Sequence, residues 1–277
     1  MFQQPTSPPE IMPSVYGPQP PKRRAAGLPG LTSVGIEELF PEMPVAIYRQ
    51  GDDPSVVRTA TVEALDELDM TRIKAGDKVN ILCSEHGFLI MGGQAYAEMI
   101  KTIKVVVEEK TGCPNIRLRF AAGIGQKEAE EVFEFYGLDD YFDGRVAGVT
   151  PFGRGVPIET DIGTLYGLAR LYDSDWFIHV HYDDLREVYW HRLIDRGLKP
   201  FVMSYARLET RAVYHFNFGP RSSNFLQRAM FNAPFIQDRY AFSVFIMTAP
   251  SGVTGVRAAR DIDKPLSGRR ILPTNSD

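Results

Sequence analysis

The sequence predicts an α/β fold built on a mostly parallel β-sheet with helices on both faces. Short segments rich in β-branched and aromatic residues alternate with longer segments in which apolar residues recur every three or four positions. Glycine-containing turns separate the two kinds of segment. This alternation is typical of parallel sheets, because each helix returns the chain to the end of the sheet where the next parallel strand begins.

The first half of the chain shows the alternation most regularly. Residues 43–50 predict a strand, and the next helix is predicted to start at Asp53 and Pro54, which are typical of an N-cap and a first turn. Strands are then predicted at 77–84 and 115–123, and helices at 92–112 and 124–138. On the helix at 92–112 every fourth residue is apolar, so one face is suited to packing against the sheet. The residues on that face are Ala95, Met99, Ile103 and Val107.

Shorter elements make up the second half of the chain. Residues 175–181 predict a strand, and residues 183–197 predict a helix that ends at Gly197. The other predicted elements are strands at 145–151, 155–160 and 240–249 and helices at 161–173 and 222–231. Together they predict an open sheet of the Rossmann-like kind.

Composition divides the chain into three parts. Eight prolines among the first 30 residues predict a flexible arm over residues 1–38, because proline removes hydrogen-bond donors and restrains φ. Residues 39–250 form the predicted α/β domain. Residues 251–277 are polar and interrupted by proline and glycine, so they predict a tail or the truncated start of a second domain.

Charge and cysteine content narrow the class of protein. The net charge of −4 gives no electrostatic reason to expect a nucleic acid or an anionic membrane as partner. The apolar run at 241–249 is about half of the roughly 18 residues that a membrane span needs. Two cysteines and the lack of a signal-like segment predict a reduced, cytoplasmic protein.

The segment from Asp175 to His215 is the densest in residues able to carry chemistry. It holds four of the five histidines together with Lys199. Histidine is the side chain that most readily serves as a metal ligand and as a base near neutral pH, so the segment indicates a reaction site. Singly, each histidine is equally consistent with a structural role. The four are His179, His181, His191 and His215.

Two strand-to-helix turns are suited to holding an anion. Ser84 ends the strand at 77–84 and is followed by Glu85 and His86, while Gly123 ends the strand at 115–123 and is followed two residues later by Gly125. Free N–H groups at a helix start, with glycine beside them, allow the backbone to approach a phosphate closely. These turns are also consistent with plain turn chemistry. Because the carboxyl ends of parallel strands meet at one edge of the sheet, they predict a nucleotide-like ligand there.

Several of these segments resemble the N-terminal domain of the lactate racemase family. The resemblance covers roughly residues 40–250 and rests on the two turns, on the segment at 155–180 and on a glycine-preceded lysine, Lys199, followed sixteen residues later by His215. The family is named for a nickel-dependent racemase of 2-hydroxyacids. The resemblance therefore implies an isomerase, a racemase or epimerase, that acts by hydride transfer.

The resemblance also implies a cofactor and residue roles. In the family the lysine, here Lys199, is covalently joined to a nickel-pincer nucleotide whose ring carbon and two sulfurs hold nickel. The histidine, here His215, supplies the fourth ligand. A second histidine ahead of the lysine takes the substrate hydroxyl proton. His191 is the nearest match for this base, with His181 as the reserve.

Two departures from the family pattern keep other functions open. The family has an Asp-His-Thr-Arg-Pro type motif where this chain has Glu85 to Phe88, so the arginine is absent from that turn. The family also has a histidine where this chain has Gly125. These departures favour a non-catalytic or cofactor-binding homologue that has lost turnover. An α/β nucleotide-binding protein without metal would require only the turns.

Overall fold

A six-stranded, mostly parallel sheet forms the centre of the computed structural model. The structure describes residues 29–30, 32, 34–39, 41, 43–89, 93–123, 125–184, 197–218 and 223–262. The strands are β1 (Val79–Ser84), β2 (Ile116–Ala121), β3 (Val146–Val149), β4 (Gly155–Thr160), β5 (Gly163–Leu168), β6 (Trp176–Asp184), β7 (Tyr240–Ala249) and β8 (Gly252–Ala259). The sheet order is β3-β2-β1-β6-β7-β8, and only β8 runs antiparallel to its neighbour. Strands β4 and β5 form a separate antiparallel hairpin.

Helices cover both faces of the sheet, as the sequence predicts. They are α1 (Ile36–Leu39), α2 (Ser55–Asp66), α3 (Glu85–Phe88), α4 (Gln94–Thr111), α5 (Gln126–Phe135), α6 (Leu138–Tyr141), α7 (Lys199–Val202), α8 (Leu208–Asn217), α9 (Ser223–Phe231) and α10 (Pro234–Gln237). The first face, which carries Ile81 and Cys83, packs in one core with α2, α4, α5 and α6. The second face, which carries Leu82 and Phe177, packs in another core with the β4–β5 hairpin and α7 to α10.

Helix α4 shows how the sequence pattern produces the packing. All four apolar residues predicted to share one face are buried. The helix ends at Gly112, whose φ of +68° is left-handed and whose N–H donates to the Glu108 carbonyl. Of the helices in the described residues, none is long and apolar enough to cross a membrane.

Two predicted elements differ in the structure, and one strand was not predicted. Residues 43–50 are not a strand, because only Tyr48 pairs with Val253, and a turn follows at 49–52. Residues 161–173 are not a helix, because Gly163, with φ of +117°, closes a hairpin turn and the residues after it alternate between exposed and buried. Residues 252–259, assigned to the C-terminal part, form the edge strand β8.

Some predictions fall wholly or mostly outside the described residues. Of the helix predicted at 183–197, residues 183–184 belong to β6 and residues 185–196 are not described. Residues 1–28 of the predicted arm and residues 263–277 also lie outside the described part, so the three-part division of the chain stays a prediction.

Candidate functional site

The neighbouring strands β2, β1 and β6 end side by side at one edge of the sheet. Ser84 is paired in register with Ala121, and Leu82 with His179. The β1–β6 pairing ends at Leu82 and His179. Beyond this pair the Tyr96 hydroxyl donates to the Val180 carbonyl at 2.8 Å, and His181 is the next residue of β6. Ser84, Ala121 and His181 lie at or near the ends of these three strands and are here called the carboxyl-end row. Open α/β sheets hold their ligands beyond such strand ends.

The two predicted turns contact each other at this row. The Gly123 N–H donates to Glu85 Oε2 at 2.8 Å. A Cβ at position 123 would lie 2.7 Å from that oxygen, so a glycine is needed for the carboxylate to reach the backbone. Nδ1 of His86, a half-exposed residue, lies 3.9 Å from Glu85 Oε1. Gly125 is the N-cap of α5 and has open space where a side chain would stand.

Ser84 is a buried polar residue within the row. It is fully buried, and its hydroxyl oxygen has no hydrogen-bond partner among the residues that the structure describes. It occupies the N-cap position of α3 without making a side-chain cap bond. A buried hydroxyl without a partner is unfavourable, so Ser84 is available to a bound ligand.

The contact between the two turns predicts a difference between two glycine substitutions. Gly123→Ala should force the Glu85 carboxylate away and break its bond to the backbone, lowering the free energy of unfolding by about 1–2 kcal/mol. Gly76→Ala is the control and should cause no loss, because Gly76 is exposed in a turn away from this site and nothing lies within 4 Å of the added methyl group. Urea unfolding of both variants measures the difference. Equal stability of the two would contradict the Glu85 contact.

Arg211 joins this site although sequence reasoning did not select it. Burial lowers its pKa, while the negative charge of Glu85 raises it. Its guanidinium donates to the Ala206 and Ser204 carbonyls at 3.0 and 3.1 Å. Arg211 and His215 are four residues apart on α8 and therefore lie on the same side of the helix. That spacing is visible in the sequence, but the approach to Glu85 depends on the fold.

His179 has a structural role. It is fully buried, and its Nε2 lies 2.9 Å from the Gly197 carbonyl oxygen. Because a carbonyl oxygen only accepts, Nε2 donates to it. Nδ1 lies 2.8 Å from the Tyr205 hydroxyl oxygen, which is also 3.0 Å from the Leu82 carbonyl oxygen. Burial lowers the pKa of His179 to about 3. His179 is thus neutral at physiological pH and joins β6 to the start of α7.

The other predicted residues have different surroundings. His181 is buried in the row, with its ring centroid 5.8 Å from that of His179. Lys199, the first residue of α7, is partly buried two residues after Gly197. His215 is exposed in the last turn of α8. His191 lies outside the described residues. Within the described part of the chain, no group of three or more His, Cys, Asp or Glu side chains is placed to bind a metal.

The fold and the carboxyl-end row define an α/β protein with a candidate ligand site at the edge where parallel strands end. The structure is similar to that of the lactate racemase apoprotein from Thermoanaerobacterium thermosaccharolyticum, with a TM-score of 0.58 and 13% sequence identity. The similarity covers 83% of this chain and 56% of that protein, so the chain spans little more than half of its length. No protein-family model and no curated protein sequence matches. The predicted fold class, similar to the lactate racemase N-terminal domain, is confirmed.

Proposed function

We propose that the protein is a lactate-racemase-like isomerase, a racemase or epimerase that uses a nickel-pincer nucleotide and acts on a 2-hydroxyacid by hydride transfer. The observation that carries the proposal is the His179–Gly197 hydrogen bond, which fastens the segment entering Lys199 to the strand that also carries His181. The shared fold supports the proposal, and so does the Lys199-to-His215 spacing.

The residues present fit the proposed cofactor. The pincer ring carbon and two sulfurs would supply three of four nickel donors, so the protein needs to add a single imidazole. Nickel favours planar four-coordination and binds imidazole well. The buried, unpartnered hydroxyl of Ser84 is available to the nucleotide. The bound nucleotide would supply a ring able to accept and return hydride.

Each residue then has a definite task. Lys199 would hold the nucleotide through its amine, and His215 would supply the imidazole that binds nickel. His191, with His181 as the reserve, takes the proton from the substrate hydroxyl. The residues bordering the nucleotide are Ser84, Glu85, His86, Gly123 and Gly125. We propose a cytoplasmic location and a small-molecule partner, with neither a nucleic acid nor a membrane as partner.

A second candidate is a non-catalytic or cofactor-binding homologue. The observation favouring it is the absence of a histidine at position 125, where the added side chain would have open space. One base on each face of the substrate is the arrangement expected for symmetric racemisation, and this chain lacks that histidine. A nucleotide-binding protein without metal is the third candidate.

Intact-mass and nickel measurements separate these functions. The protein is expressed with and without the enzymes that build the cofactor. An isomerase shows a mass increment, about one nickel per chain and interconversion of a 2-hydroxyacid's enantiomers or epimers. An increment or nickel without turnover identifies the non-catalytic homologue. Neither increment nor nickel in the co-expressed protein would refute the isomerase.

A further inference from the structure

Arg119 is a buried cation away from the carboxyl-end row. It lies on the second face of β2 and is 6% exposed. Its Nη1 donates to the Leu118 carbonyl at 3.1 Å, whereas its buried Nε has no hydrogen-bond partner among the described residues. Asp173 Oδ1 is 4.0 Å from Nε, which is beyond hydrogen-bond distance. A buried charge without a hydrogen-bonded counter-ion destabilises the fold, and a bound anion would remove that penalty.

Asp173 is already engaged by other groups. Arg117 Nη2 donates to Asp173 Oδ1 at 2.8 Å, and Asn80 Nδ2 donates to the same oxygen at 3.0 Å. Arg117 Nε donates to Asn80 Oδ1 at 2.9 Å. This network holds the Asp173 carboxylate against Arg117. The positive charge of Arg119 is therefore only partly neutralised by Asp173.

Arg170 adds a third positive charge to the cluster. Burial, followed by the positive charge of Arg117, lowers the pKa of Arg119 to about 10. The positive charge of Arg170 also lowers this pKa, whereas the negative charge of Asp173 raises it. The exposed Arg170 also lines a cavity of about 460 Å³ beside β3. Ala147, which also lines the cavity, is paired in register with Arg119. The cavity therefore adjoins the strand position next to the buried guanidinium.

We propose that Arg119 and Arg170 form a second ligand site, which binds one small oxyanion, a phosphate or carboxylate group, at the β3 edge of the sheet. Guanidinium groups match the oxygens of both anions in planar, paired hydrogen bonds. Four of the other cavity residues are acidic and would repel further negative charge, so the rest of the ligand is neutral or cationic. The acidic residues are Glu130, Glu134, Asp139 and Asp140.

Calorimetric titration with inorganic phosphate and with acetate tests the site. The protein is expressed without the cofactor-building enzymes, and sodium chloride keeps the ionic strength equal, because screening alone changes surface electrostatics. Wild type should bind at least one of the two anions. The preferred anion distinguishes a phosphate from a carboxylate ligand. Binding of neither by wild type would overturn the proposal.

Arg119→Met should weaken that binding by at least about tenfold, because charge-assisted hydrogen bonds are lost. Arg58→Gln is the matched control and should bind as wild type does, since Arg58 of α2 is paired with Glu98 of α4. Without added anion, Arg119→Met should melt at a higher temperature than wild type, because an unpaired buried charge is removed. A lower melting temperature with unchanged anion affinity would show a purely structural arginine and overturn the proposal.

A second variant keeps the test valid if Arg119→Met does not fold. Arg170→Gln changes an exposed side chain and should leave the fold intact. It should weaken anion binding severalfold. Unchanged affinity in this folded variant would overturn the shared role of the two arginines.

Discussion

Lys199→Ala is expected to abolish covalent retention of the nucleotide when the protein is made together with the cofactor-building enzymes. The amine is the group proposed to form the link, and alanine has no nucleophile to replace it. Intact-mass spectrometry should therefore show the increment on wild type and only the unmodified chain for the variant. Lys127→Ala is the matched control, because Lys127 is an exposed lysine of α5. An increment retained in Lys199→Ala would exclude Lys199 as the attachment site.

Two histidine variants should fail differently from the lysine variant. His215→Ala should keep the mass increment and lose nickel, because a metal site deprived of one of four ligands binds weakly while the covalent link is unaffected. His191→Ala should keep both and slow turnover by about 10²- to 10⁴-fold, the usual contribution of a general base. If His191→Ala turns over at the wild-type rate, the same test applied to His181→Ala decides whether the reserve base is used.

Stability should fall steeply on mild acidification because His179 is buried in its neutral form. Its folded pKa is about 3 and its unfolded value 6.5, so the unfolded state binds the extra proton between those limits. The free energy of unfolding is therefore at its full value above pH 6.5. As the pH falls it decreases by about 1.4 kcal/mol per pH unit, or about 2 kcal/mol by pH 5. Urea unfolding at a series of pH values measures this slope.

His179→Gln removes the titrating group and should flatten the slope between about pH 5 and pH 6.5, where carboxylates contribute little. His86→Gln is the matched control, because the His86 side chain is half exposed whereas that of His179 is fully buried. Equal slopes in His179→Gln and wild type would mean that His179 is not buried as the neutral base bonded to Gly197.

Local sequence patterns were sufficient for much of the sheet and for the longest helix. Strand β1 is buried on both faces and reads as an apolar run, while α4 carries its apolar residues at every fourth position. The hairpin strand β5 was mistaken for a helix because its apolar residues also fit a helical spacing. Strand β8 was not recognised, since most of its residues are only half-buried and its pairing with β7 is long-range.

By itself the sequence determined the α/β class, the two turns at the carboxyl ends of β1 and β2, and the spacing from Lys199 to His215. Those features depend on residue order and local periodicity, both of which can be read along the chain. Only the tertiary structure decided that His179 is a buried neutral base hydrogen-bonded to Gly197, and that the negative charge of Glu85 acts on Arg211. Burial and the distance between charges set these properties, and both arise from contacts between residues far apart in the chain.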